Sequence, residues 1–204
     1  MKTITQLFND AWKKKEKRGW QQIYIMVDLH GVVLNSNYKA SNELKFAHSN
    51  TMPCLSYLSK QQDVVLILWT SSHEVEIKKV LEWLGLYGIH FKYVNENPLE
   101  KNTDYASFDK KPYFSIVLDD KAGFDSNNDW SELLTWSYNR EMEKLRELIV
   151  NTKNYIISEE LLNEVISGLK AYGKTATENT VKKLRNLKRE EVEEWGSIVD
   201  PDSV

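Results

Sequence analysis

Three places in the chain put polar residues where an apolar run stops: Asp28-Leu29-His30-Gly31-Val32 after the run from Ile23, Thr70-Ser71-Ser72 after Val64 to Trp69, and Asp119-Asp120 after Phe114 to Leu118. In open parallel sheets, ligands bind beyond the carboxyl ends of the strands, so these are the residues that can do chemistry together. A carboxylate ending a buried strand costs free energy unless it is hydrogen-bonded, paired or metal-bound, and carboxylates gathered from two strands repel one another. A divalent cation resolves that conflict. Oxygen donors plus a phosphate describe Mg²⁺ better than zinc, because the chain has a single cysteine and no clustered histidines. The Thr70 hydroxyl and the N–H groups from Ser71 onward, at a helix start, suit an anion such as phosphate. Lys111, shortly before the fourth apolar run, is the candidate to balance phosphoryl charge, with Lys110 as its competitor.

The elements that must position these residues are legible from periodicity. Ile23 to Asp28, Val64 to Trp69, Phe91 to Asn95 and Phe114 to Leu118 are short and rich in β-branched and aromatic residues, as buried strands are. Between the second and third, Ile77, Val80, Leu81 and Leu84 mark one helical face, opened by a Ser71-to-Glu74 capping box and stopped near Gly85. Further helices are predicted over residues 1–20, from Pro53 to Gln61, and from a second capping box at Asp129 to Glu132. The alternation predicts an α/β fold: a three-layer Rossmann-like parallel sheet with helices on both faces. From about residue 140 the pattern turns helical. Stripes run through Tyr138, Met142, Leu145 and Ile149 and through Leu161 to Leu169 (between Ser158 and Gly173), and a further helix begins at Thr177. The chain thus reads as a catalytic domain over 1–139 and an α-helical carboxyl-terminal extension over 140–204.

The ordered set Asp28-x-His30-Gly31-Val32, Thr70, Lys111-Pro112 and Asp119-Asp120 resembles the four motifs of the haloacid dehalogenase superfamily, over residues 22–130. Response-regulator receivers use similar residue types in a different order. The resemblance implies a capless HAD-like hydrolase with Asp28 as nucleophile, forming an aspartyl-phosphate that water hydrolyses. It implies that Asp120 binds Mg²⁺ directly, that Asp28 shares the metal, and that the His30 backbone carbonyl is a further ligand. Asp119 or Asp125 would hold metal-bound water, and Thr70, Ser71 and Lys111 would fix the phosphoryl oxygens. His30 departs from the pattern, since phosphatases of the family usually place a second Asp there as general acid and base. Imidazole, with an unperturbed pKa of about 6.5, can do that work. The opposing reading is a site that binds phosphate and metal without turnover.

Composition bounds the rest. The chain of 204 residues, 41% hydrophobic and 28% charged with a formal charge of -3, has no global basic field for nucleic acid. The amino terminus lacks the apolar run of a signal or membrane span, so a cytoplasmic protein with no membrane partner is expected. The lysines at 13–15 read as a solvated helix face and Cys54 as a small buried hydrophobe. The intervals from Leu34 to Val64 and from Asn95 to Lys110 leave little room for a lid, so the site is expected to be open and to admit a bulky phosphorylated substrate: a nucleic-acid end, a phosphoprotein or a glycan. The leading expectation is a Mg²⁺-dependent phosphomonoester hydrolase. The others are a degenerate phosphate- and metal-binding or scaffold protein working through its helical tail, which would also carry any homo-oligomer, and a nucleic-acid end-processing phosphatase. The last is suggested by the basic stretches Lys13 to Arg18 and Lys182 to Arg189.

Overall fold

The computed structural model describes residues 2–35 and 43–151, with side chains to residue 145. The strands are β1 (Ile23–Asp28), β2 (Val64–Trp69), β3 (Tyr93–Val94) and β4 (Ile116–Leu118), and the helices α1 (Ile4–Arg18), α2 (Thr51–Lys60), α3 (Glu74–Gly85) and α4 (Asp129–Asn151), with a 3-10 turn at Asp120–Ala122. All neighbouring strands pair in parallel in the order β3-β2-β1-β4. This is the Rossmann-like parallel sheet flanked by helices that the alternation predicts, with the core residues of the four helices gathered on one face rather than divided between both. Residues Met1–Glu141 form one compact unit, and the chain from Met142 to Val204 belongs to a second. The predicted helices after Ser158 and Thr177 lie outside the described residues. Among the described residues, no helix is long and apolar enough to cross a membrane.

Side-chain alternation divides the sheet into two faces. Ile23, Ile25 and Val27 of β1, with Leu66 and Leu68 of β2, join the large core that Phe8 and Trp12 of α1, Leu55 and Leu58 of α2, Val80 and Leu84 of α3, and Trp130 and Leu133 of α4 complete. Cys54 is buried in that core, as expected, and its thiol donates to the Trp130 carbonyl. On the opposite face Tyr24, Met26, Val65 and Ile67 are covered by Trp69, Tyr93, Tyr113, Phe114 and Val117. Much of that second layer comes from the crossover between β3 and β4, which contains no helix.

The helix ends explain the bounds. The Thr3 hydroxyl accepts from the Gln6 N–H while the Gln6 side chain accepts from the Thr3 N–H, so α1 starts on a reciprocal capping box. It stops at Gly19, where φ is +65°, a left-handed conformation that costs glycine nothing. The box predicted at Ser71 and Glu74 does not form. His73, not Ser71, is the N-cap of α3, and it makes no side-chain cap bond; the Ser72 N–H goes to the Thr70 hydroxyl. Nor does α4 wait for Asp129 to cap it: Asp129 is its first residue, preceded by a turn in which Asp125 accepts from Asn127 and Asn128.

The connections fix where a site can form. β1 to β2 to β3 step outward on one side, and the chain then returns to lay β4 on the other side of β1. The strand order therefore reverses between β1 and β4, and the crevice at their carboxyl ends is the place for a ligand.

Candidate functional site

Asp28 is the last residue of β1, half-buried at that reversal. Its Oδ1 accepts from the Leu29 N–H at 2.7 Å. The chain then folds into a tight turn: the Val33 and Leu34 N–H groups reach the Leu29 carbonyl, and the Gly31 N–H reaches the Leu34 carbonyl at 2.7 Å. Leu29, Val32, Val33 and Leu34 are buried and anchor the turn in the core. Gly31, at φ +85°, faces Asp120 so closely that an added Cβ would sit 3.1 Å from Asp120 Oδ2. Two residues after β4 close the turn from the other side, the Ser126 hydroxyl donating to the Gly31 carbonyl and the Trp130 indole N–H to the Val32 carbonyl.

At the end of β4, Asp119 caps the 3-10 turn through Oδ1, which accepts from the Lys121 N–H at 2.7 Å and from the Ala122 N–H. Asp120 receives the Lys121 ammonium at 2.7 Å. Asp28, Asp119 and Asp120 each place a carboxylate oxygen within 4.8 Å of the other two. The sequence-predicted carboxylates of β1 and β4 are thus brought together. Burial raises the Asp28 pKa above the ordinary aspartate value, the charges of Asp119 and Asp120 raise it further, and the Leu29 N–H and His30 pull the other way. An all-oxygen donor set of this charge, partly buried and spaced around a glycine that leaves room, fits a hard divalent cation.

Asp125 is not part of this group. It is exposed, and its two oxygens are taken up by the Asn127 N–H at 3.0 Å and the Asn128 side chain at 2.6 Å, so of the two candidates for the outer ligand only Asp119 adjoins Asp28 and Asp120.

Thr70 follows β2, but Ser71, Ser72 and His73 separate it from the first residue of α3, so it does not sit at a helix amino terminus. The Thr70 N–H goes to Asn95 Oδ1 at 2.8 Å, and the Thr70 carbonyl receives Asn95 Nδ2 at 2.7 Å. One side chain from the end of the third strand thus fixes both backbone groups of Thr70. The Thr70 hydroxyl accepts from Ser72 and keeps its own proton to donate. Ser71 is exposed. The first turn of α3 carries Glu74 and Glu76, which reduce the pull of that helix end on an anion.

His30 turns its Nε2 toward α3, 3.1 Å from the Ser72 hydroxyl and 3.2 Å from a Glu76 carboxylate oxygen. An ionised carboxylate only accepts, so with Glu76 ionised Nε2 carries the hydrogen and the neutral ring keeps its lone pair on Nδ1. His73 is exposed at the helix start, as expected.

The structure does not bring Lys111 to this group. Tyr113, two residues on, packs against Tyr24 and Trp20 at the amino end of β1. From Tyr24 to Asp28 is about 13 Å at the usual rise of a strand. Lys111 itself is exposed. Ser115, four residues after Lys111, pairs with Tyr24 near the start of β1, whereas the acids lie at its end.

Glu76, Asn95, Lys121 and Ser126 escaped the sequence reading. Asn95 carried a signal, being the polar residue at the end of a predicted strand. Glu76 lies one turn into α3, and its meeting with His30 depends on a long-range approach that no spacing records.

No family model matches the chain, and neither does any curated protein. A solved structure of a conserved protein from Bacteroides thetaiotaomicron aligns with a TM-score of 0.40 and 19% identity, over 59% of this chain and 91% of the other. A likeness so remote carries no functional weight.

Proposed function

We propose that this protein is a Mg²⁺-dependent phosphomonoester hydrolase of the haloacid dehalogenase type, with Asp28 as nucleophile. The observation that supports this reading is the convergence of Asp28, Asp119 and Asp120 within 4.8 Å at the carboxyl ends of two parallel strands, beside Gly31. The order of Asp28, Thr70 and the Asp119-Asp120 pair along the chain adds to it.

In this reading an Asp28 oxygen forms the bond to phosphorus as the ester P–O bond breaks, giving an aspartyl-phosphate. The departing oxygen takes the Nδ1 proton of His30 in its imidazolium form, and the neutral ring that results then withdraws a proton at Nδ1 from the water that attacks phosphorus and frees Asp28. Ser72 and Glu76 hold the ring through Nε2 while these transfers occur. The Thr70 hydroxyl, on a backbone held by Asn95, donates to a phosphoryl oxygen. Asp28, Asp120 and the His30 carbonyl would hold Mg²⁺, with Asp119 as the outer acid, and the cation would supply positive charge against the repulsion among the acids and on the phosphoryl oxygens.

The test is release of phosphate from a chromogenic phosphate ester with and without Mg²⁺. Turnover that needs the metal and vanishes in Asp28→Asn is expected. Mg²⁺-independent turnover, or turnover that survives Asp28→Asn, would overturn the reading, as would failure across phosphorylated nucleotides, sugars and peptides.

A further inference from the structure

The turn after β4 places a cation on the acidic group that the proposed reaction does not use. The Lys121 ammonium lies 2.7 Å from Asp120 Oδ2, the same oxygen that comes nearest to Gly31. The Lys121 N–H is bound to Asp119 Oδ1, also at 2.7 Å. One acid therefore fixes where the residue starts and a second receives its charge.

We propose that Lys121 is the counter-ion of the metal-free site and that its ammonium and the divalent cation exclude one another at Asp120. This rests on the metal-binding part of the reading above and not on hydrolysis. Three carboxylates within 4.8 Å repel, and a positive group at hydrogen-bond distance relieves part of that repulsion before any metal arrives. A cation of charge two on Asp120 would meet the ammonium a few ångströms away, on an oxygen already engaged. The Lys121 side chain is 85% exposed, so little packing holds it, and it can swing out to water or to an anionic ligand. Metal binding at this site is then an exchange of cations, in which the ammonium must leave Asp120.

The experiment titrates Mg²⁺ alone into the full chain at low ionic strength, by calorimetry, for the wild type, Lys121→Met, Lys121→Arg and Lys110→Met. Lys121→Met should bind Mg²⁺ more tightly, by about threefold to tenfold, the size of one like charge removed at short range in a partly solvated site. Lys121→Arg should stay near the wild type, and Lys110→Met, a lysine on the exposed crossover, should match it. Equal or weaker binding in Lys121→Met would overturn the proposal, and so would an equal tightening in Lys110→Met, which would point to the general field of the protein. Absence of Mg²⁺ binding in all four proteins would overturn it together with the metal site. Tighter binding in Lys121→Met by a protein that hydrolyses no ester would leave the exchange standing and remove the hydrolase.

Discussion

Two aspartates stand at opposite ends of the sheet, and their surroundings push them in opposite directions. Asp63, just before β2, receives the Trp12 indole N–H at 3.1 Å and the Lys15 ammonium at 3.0 Å, with the Arg140 guanidinium at 3.8 Å over the Trp12 ring. Burial raises its carboxyl, but the Lys15 bond and charge, the Trp12 bond and Arg140 outweigh it, and the pKa falls below the usual value. Asp28 is buried to a similar degree, yet it has one backbone N–H and two other carboxylates for company, and its pKa rises. One acid is matched from within the fold and ties α1, β2 and α4 together. The other is left in conflict, which a fold tolerates where a ligand resolves it.

Exchanging the two residues' fates breaks the comparison most directly. Asp28→Asn should lower ester turnover by at least about a thousandfold, since a nucleophile is lost, while thermal unfolding of the metal-free protein stays level or shifts upward. Asp63→Ala should do the reverse, leaving turnover near the wild type and costing about 2–3 kcal/mol of stability through orphaned partners, read by denaturant titration. His30→Ala comes next, with turnover down about a hundredfold and Mg²⁺ affinity little changed; unchanged turnover would remove its proton-transfer role.

Acid titration of chelator-treated protein sharpens the contrast. The folded pKa of Asp63 lies below 3.8, so its contribution is whole above that value and drains away as pH falls through the lower one. The folded pKa of Asp28 lies above 3.8, so the folded state is favoured while Asp28 is protonated and loses stability as pH rises through that value. The stability difference between the wild type and Asp63→Asn should therefore shrink on acidification. The difference for Asp28→Asn should have the opposite sign and grow as pH rises. Lys111→Ala is the smallest change expected, within about twofold in turnover, as for an exposed charge.

The same contrast explains what was legible. β1 and β2 run from Ile23 to Asp28 and from Val64 to Trp69, as read, because central strands buried on both faces are apolar runs that polar residues end. β3 and β4 are shorter than read, Tyr93–Val94 and Ile116–Leu118, since edge strands pair on one side only and their flanks are freer. The acids were legible because strand direction alone sends Asp28, Asp119 and Asp120 to one end. Lys111 lies on the crossover before β4, which has no helix to fix where its side chain goes, so spacing alone does not set it against the acids. Glu76 was invisible because tertiary approach, not spacing, sets it against His30, whereas Lys121 adjoins Asp120 in the sequence and its charge stood in plain view there.

The hydrogen atom that Gly31 carries in place of a methyl group also sets an aperture. An alanine there would be strained at φ +85° and would have to displace Asp120 by a few tenths of an ångström. Mg²⁺ demands oxygens at about 2.0–2.1 Å in near-octahedral array, whereas Ca²⁺ accepts looser ones at about 2.3–2.6 Å. The smallest side chain in the turn therefore sets the spacing between Gly31 and Asp120 on which any such choice of ion would depend.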